Sequence, residues 1–212
     1  MTKTLLAYGD SNTHGYPPMH ARGAPGRFGP DTRWPAVLGA ALGTDWSVIE
    51  EGLPGRTTGL DDPVMGRHMN GQDGPRIALG CHRPVDLLLI MLGTNDCKTR
   101  FNPSAAKITA GAAGLLDIAL HPEMQALHGG FDMLLICPPP VLERGCLATE
   151  FFGAEAVGPL AEGFAALARA KGARFFNAGD VIESSALDGV HFEAEAHRAL
   201  GAALAGVIAT NP

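Results

Sequence analysis

The sequence predicts a three-layer α/β/α sandwich built on a central parallel five-stranded sheet. Three observations predict it. Short apolar runs that stop at Gly, Asp, Asn or Pro alternate with longer Ala-rich stretches, the pattern of buried parallel strands joined by helices. The apolar runs are of strand length, and the Ala-rich stretches repeat their apolar residues at three- and four-residue spacing. The chain has 212 residues, which suits one domain with one substantial core, and no linker or repeat divides residues 1–212.

In chain order, strands are expected over Thr4 to Tyr8, Trp46 to Glu50, Asp86 to Leu92, Asp132 to Cys137 and Arg174 to Asn177. Helices are expected over Trp34 to Leu42, Ser104 to Leu120, Pro159 to Ala170 and Glu193 to Ile208, where good helix formers carry an apolar stripe. Pro103-Ser104 and Pro159 suit helix starts, because a proline in the first turn forfeits no helical hydrogen bond. Gly15 to Arg33 and Gly59 to Pro84 are rich in Pro and Gly and read as long loops. Loops of that length in one domain usually have a task, and in an open α/β sheet ligands sit where strand ends meet loops. Both are expected to wall a pocket. Cys137 before Pro138-Pro139-Pro140 suggests a rigid loop near that pocket, with a cis bond.

Composition excludes several function classes. The net charge of −6 gives no basic footprint for nucleic acid and no polybasic surface for lipid. No apolar run approaches the roughly 20 residues of a membrane span. Met1-Thr2-Lys3-Thr4 runs straight into a short apolar stretch closing at Gly9-Asp10, without a signal-peptide core, so a cytoplasmic protein is expected. Cys81, Cys97, Cys137 and Cys146 lack zinc or redox spacing, as do His68, His82, His121 and His197, which read as surface or helix residues. Charged residues are only 18% of the chain, so part of its surface is expected to be covered by further copies of itself, or the composition is simply Ala- and Gly-rich.

Four short segments carry chemistry. Gly9-Asp10-Ser11 closes the first strand, placing Ser11 at the carboxyl edge of the sheet, where backbone N–H groups of a following turn can face it. Alone, the tripeptide also describes a serine capping a helix. Asp188-Gly-Val-His191 precedes the last helix, and its glycine permits a turn that joins carboxylate to imidazole. The imidazole can then act as general base and acid while the carboxylate fixes its tautomer; alone, the pair also fits a cap and a surface histidine. Gly93-Thr94-Asn95-Asp96 follows the most apolar strand and brings the Asn95 amide to the same edge. Gly52-Leu-Pro-Gly55-Arg56-Thr57-Thr58 follows the second strand and offers a glycine N–H free of side-chain obstruction. Together they are the parts for acyl transfer through a covalent intermediate: nucleophile, base, orienting acid and oxyanion donors.

With these four blocks in this order over nearly the whole chain, the sequence resembles the SGNH, or GDSL, superfamily of hydrolases, with Asn12 where many members have Leu. The resemblance implies a flavodoxin-like sheet order and a triad of Ser11, Asp188 and His191. It implies oxyanion donors at Ser11, Gly55 and Asn95, with Gly52 kept as a structural turn. It also implies that no metal or organic cofactor is needed. Glu50-Glu51-Gly52-Leu53, Arg56-Thr57-Thr58 and Met91-Leu92-Gly93-Thr94-Asn95-Asp96 resemble the arylesterase and acyltransferase branch. Members of that branch hydrolyse short-chain acyl esters, can pass the acyl group to alcohols in place of water, and include homo-oligomers with narrow substrate channels. His14 departs from the branch, which often has Trp there. Asp10, Asn12, His14 and Thr94 are expected to border the substrate pocket. Carbohydrate acetylesterase, thioesterase and lysophospholipase activities share the triad and differ only in the loops. A non-catalytic ligand-binding module is the alternative of another class, but no G-x-G-x-x-G or G-x-x-x-x-G-K-[ST] follows the first strand.

Overall fold

In the computed structural model, which describes residues 2–210, five parallel strands form one sheet in the order β2-β1-β3-β4-β5. They are β1 (Lys3–Gly9), β2 (Trp46–Gly52), β3 (Leu87–Met91), β4 (Asp132–Cys137) and β5 (Arg174–Asn177). The helices are α1 (Ser11–His14), α2 (Trp34–Leu42), α3 (Pro75–Cys81), α4 (Ala105–Leu120), α5 (Pro122–His128), α6 (Leu160–Lys171) and α7 (Ala194–Ala209). The alternation of side chains along each strand sorts the core into two layers. Leu6, Tyr8, Leu88, Ile90 and Leu135 pack beneath α3, α4 and α6, against Leu79, Ile108, Leu115 and Phe164. Leu5, Ala7, Leu89, Leu134 and Ile136 face the other way, against Trp34 and Leu38 of α2 and Leu200 and Leu204 of α7. Both faces of the sheet are thus covered by helices, which is why the inner strands β1, β3 and β4 carry near-continuous apolar runs, while the edge strands β2 and β5 are only partly buried.

All five expected strands and four expected helices are present, with ends shifted by a residue or two. Two helices were not foreseen, α3 inside the expected loop of residues 59–84 and α5, while α1 is the single helical turn expected to follow the first strand. Both α3 and α5 start on a proline in the first turn, after Gly74 and His121. The Gly74-Pro75 pair reads as a turn signal, although it opens a helix. His197 is not a surface group: it is fully buried in α7, accepts from the Trp34 N–H at 3.3 Å, and burial pushes its pKa down to about 4. Among the described residues the cis peptide is Arg83–Pro84, and the bonds of the Pro138–Pro140 run are trans.

Register decides where the loops emerge. Gly9 is level with Gly52 on β2 and with Met91 on β3, so the three strands end on one line. The chain reverses its winding direction between β1 and β3, and the crevice outside such a switch point is the usual ligand position in an open α/β sheet. The segments bearing Ser11, Gly55 and Asn95 all leave the sheet there.

Candidate active site

Gly9 ends β1 where no side chain fits: a Cβ would lie 2.0 Å from Thr13 Oγ1 and 2.9 Å from the Met91 carbonyl. The chain then turns into α1, whose first N–H groups are capped by Asp10, with Oδ1 accepting from the Asn12 N–H at 2.9 Å. Ser11 is the first residue of that turn and is buried. Gly52 closes the other side, since a Cβ on it would stand 2.2 Å from the His14 nitrogen. Its lack of a side chain lets β2 and α1 touch.

The Asp188 carboxylate builds the turn that delivers the histidine. Oδ1 accepts from the N–H groups of Val190 and His191, both at 3.0 Å. Oδ2 accepts from His191 Nδ1 at 2.7 Å and from the Met19 N–H at 2.9 Å. Gly189 turns with φ +80°, and a Cβ there would meet the Leu142 carbonyl at 2.0 Å. His191 Nε2 then lies 3.2 Å from Ser11 Oγ. Burial pushes the Asp188 carboxyl up, but the hydrogen bond and charge of His191 and the two backbone N–H groups outweigh it and hold it below the usual range. The Tyr16 ring lies 5.2 Å from the imidazole, and Asn12 Nδ2 donates to the Val190 carbonyl at 3.2 Å, pinning α1 to the histidine turn.

Two further loops meet this pair. Asn95 Nδ2 donates to the Arg56 carbonyl at 3.1 Å and, at a longer 3.3 Å, to Asp10 Oδ2. Gly55, with φ +95°, borders the same cavity as Ser11, Asn95 and His191. The loops are fastened together from below. The Arg56 guanidinium lies 4.0 Å from the Tyr8 ring and donates to the carbonyls of Gly9 at 2.8 Å and Glu51 at 2.5 Å. Asp96 accepts from the Thr58 N–H at 2.9 Å and from its hydroxyl at 2.5 Å. Burial raises both Asp10 and Asp96 to about 6, against the hydrogen bonds each accepts.

The cavity beside Ser11 and His191 has a volume of about 230 Å³. A larger one, about 440 Å³, lies beyond Thr94 and Cys97 under the Pro138–Pro140 run, and none of Ser11, Gly55, Asn95 or His191 borders it. Size is outweighed here by the convergence of nucleophilic, basic and donor groups on the smaller one.

Ser11, Gly55, Asn95, Asp188 and His191 are thus brought together. The four expected pocket residues are not on this cavity. Asp10 and Asn12 are buried beneath it, with both Asp10 oxygens and Asn12 Nδ2 engaged in the bonds above and Asn12 Oδ1 without a hydrogen-bond partner among the described residues, while Thr94 faces the larger cavity. His14 is half-buried away from it, its carbonyl accepting from Arg27 Nε at 2.8 Å. The proline run borders the larger cavity too, not the Ser11 site. The wall is instead completed by Tyr16 and Met65, from the two long loops expected to wall a pocket, and by Lys98, Leu147, Glu150 and Phe151, which sequence reasoning missed. Of these four, only Lys98 left a trace in the sequence, as a cation three residues after Asn95.

Residues 7–199 match the model of the GDSL-like lipase/acylhydrolase family. Among solved structures, the inhibitor-bound aryl esterase of M. smegmatis is 36% identical, with a TM-score of 0.92 and 99% of each chain covered. A carbohydrate acetylesterase from Sinorhizobium meliloti is 34% identical, with a TM-score of 0.92 and 99% of each chain covered. A structure described as a putative arylesterase from Agrobacterium tumefaciens is 38% identical, with a TM-score of 0.84 and 99% of each chain covered. No curated protein matches the chain. By its sequence, its fold and the order of its blocks, this chain belongs to the GDSL-like lipase/acylhydrolase family.

Proposed function

We propose that the chain is a serine carboxylic ester hydrolase acting on short acyl esters. The observation that carries this is the line from Asp188 Oδ2 through His191 to Ser11 Oγ, 2.7 and 3.2 Å long, ending in a cavity that Gly55 and Asn95 also border. Ser11 Oγ attacks the ester carbonyl carbon as its proton passes to His191 Nε2, and Asp188 stabilises the imidazolium. The carbonyl π electrons move to oxygen. The oxyanion is held by the N–H groups of Ser11 and Gly55 and by Asn95 Nδ2, whose long bond to Asp10 is the one it gives up. Collapse expels the alcohol oxygen, which takes the proton from His191. Water then enters, gives a proton to His191 and adds to the acyl carbonyl; collapse breaks the bond to Ser11 Oγ, which takes the proton back from His191 as the carboxylic acid leaves.

A volume of about 230 Å³ and a wall carrying Met65, Leu147 and Phe151 suit a small, largely apolar acyl or alcohol group. The aryl esterase and carbohydrate acetylesterase structures agree with that choice. The same wall supports an alcohol as an acyl acceptor beside water. Propyl ester formed from p-nitrophenyl acetate in dilute propanol supports the transfer reading, and exclusive release of acetate removes it. Exposed Val64, Ile77 and Phe152 and the low charge fraction support self-association. A monomeric mass in light scattering at micromolar concentration removes that part. The hydrolase reading is tested by p-nitrophenyl acetate hydrolysis with wild type and Ser11→Ala: activity is expected in the first and not the second, and an active variant overturns the assignment.

A further inference from the structure

Lys98 has no task in the reaction above, yet it borders the same cavity. Its side chain is 5% exposed, and the carboxylate oxygens nearest to its Nζ, on Asp62 and Glu150, both lie at 3.8 Å. That is too long for a hydrogen bond. The one contact of hydrogen-bonding type among the described residues is to Met65 Sδ at 3.5 Å, and a thioether is a weak acceptor. The short bonds to those carboxylates belong to Arg100, whose Nη2 reaches Asp62 Oδ2 at 2.7 Å and whose Nη1 reaches Glu150 Oε1 at 3.1 Å. Burial accordingly pushes Lys98 down, with Arg100 adding to the effect and Glu150 and Asp62 opposing it.

A purely structural account makes this cluster a clasp between the segments bearing Asp62, Lys98 and Glu150. Arg100 already serves as that clasp. It leaves unexplained a buried ammonium that keeps N–H groups unused beside a cavity, an arrangement that is costly unless something accepts from them. The charges of Lys98 and Arg100 balance those of Asp62 and Glu150. Beyond them, Arg22, about half exposed, reaches Glu150 Oε2 from solvent at 3.7 Å, and the Asp10 carboxylate, which also acts on Lys98, offsets that further charge. The cluster therefore calls for a neutral oxygen, not an ionised partner. Glu150 borders the cavity as well, and an oxygen at hydrogen-bonding distance from both Nζ and Oε1 fits a pair that stands 3.8 Å apart. A hydroxyl suits both, since it accepts from the ammonium and donates to the carboxylate.

We propose that Lys98 and Glu150 together read a hydroxyl group of the substrate, so that the enzyme prefers short acyl esters bearing a free hydroxyl close to the ester over their alkyl counterparts. This rests on the Ser11 hydrolase reading. The hydroxyl can belong to the alcohol part or the acyl part, and the test separates the two. The ratio of kcat/KM within each isosteric pair is measured for the full chain: 2-hydroxyethyl acetate against propyl acetate, and ethyl glycolate against ethyl propionate. Dividing each ratio by that of Lys98→Met cancels both intrinsic reactivity and the fraction of active protein. A charge-assisted hydrogen bond predicts a wild-type ratio about tenfold or more above the variant in one of the pairs. The pair that responds tells which part of the ester carries the hydroxyl. Equal ratios in wild type and variant overturn the proposal. Should Lys98→Met fail to fold, the wild-type ratios are divided by those of hydroxide-catalysed hydrolysis of the same esters, and values near one overturn it equally. Ser11→Ala separates the two failures. If it is inactive on all four esters while the ratios do not respond, only this inference falls; if it hydrolyses them, the hydrolase reading falls and takes this inference with it.

Discussion

Replacing Asp188 by Asn tests whether this carboxylate works as both the acid of the triad and the core of its turn. All four acceptor positions are in use: Val190 and His191 N–H at Oδ1, His191 Nδ1 and Met19 N–H at Oδ2. An amide keeps only one oxygen, so either orientation turns an NH2 group toward two N–H donors. A buried donor left unsatisfied costs about 1–3 kcal/mol, two cost about 2–6, and relaxation of the loops places the expectation in the lower half of that range. If the NH2 faces Nδ1, the imidazole is driven to the tautomer whose proton sits on Nε2, where it can no longer take one from Ser11. Turnover should then fall by about three to four orders of magnitude. The assays are urea unfolding for stability and steady-state hydrolysis of p-nitrophenyl acetate for turnover. A variant within tenfold of wild-type kcat, or one equally stable, refutes the double role.

Gly55→Ala should fold and lose about 10²-fold in kcat on p-nitrophenyl acetate, because φ of +95° strains an alanine and its Cβ would press on Met65 Cε at 2.5 Å, shifting an oxyanion donor; unchanged kcat contradicts this. Gly52→Ala should instead fail to fold or be strongly destabilised, since the clash is with the His14 backbone at 2.2 Å, and a normal thermal melt contradicts that. Asp10 is raised to about 6 by burial, so the folded chain holds that proton more tightly than the unfolded chain does. Its contribution to stability is therefore present below about pH 4 and lost as pH rises through about 6. Integrated from pH 7 to pH 5, that favours the folded state by about 1 kcal/mol. Asp10→Asn should lack this gain in urea unfolding at the two pH values, and parallel profiles contradict it. Asp188, held low, acts in the opposite sense: its contribution is lost as pH falls through its folded pKa.

The strands were legible because burial on both sheet faces forces continuous apolar runs such as Leu87–Met91, and the long helices because their apolar stripes face only one layer. What escaped was decided by tertiary contact. In α3, the Pro75 and Gly80 that suggest a loop are a first-turn proline and a glycine with open space around it. The site blocks could be placed since each follows a strand whose end is fixed by register. The two long loops were expected at the pocket wall and supply Tyr16 and Met65, but the rest of the wall could not be placed, because Glu150 and Phe151 arrive from the long segment between β4 and α6, whose path no periodicity records. Asp10 and Asn12 show a related difficulty: adjacency to Ser11 suggests contact with substrate, yet the tight turn after Gly9 sends both beneath the site.

The account's central claim is that Ser11 is a nucleophile activated through His191. Intact mass after treatment with a fluorophosphonate tests this most directly. A single adduct on wild type, absent from Ser11→Ala and formed far more slowly by His191→Ala, is the predicted result. An unlabelled wild type, or an adduct that persists in Ser11→Ala, contradicts it.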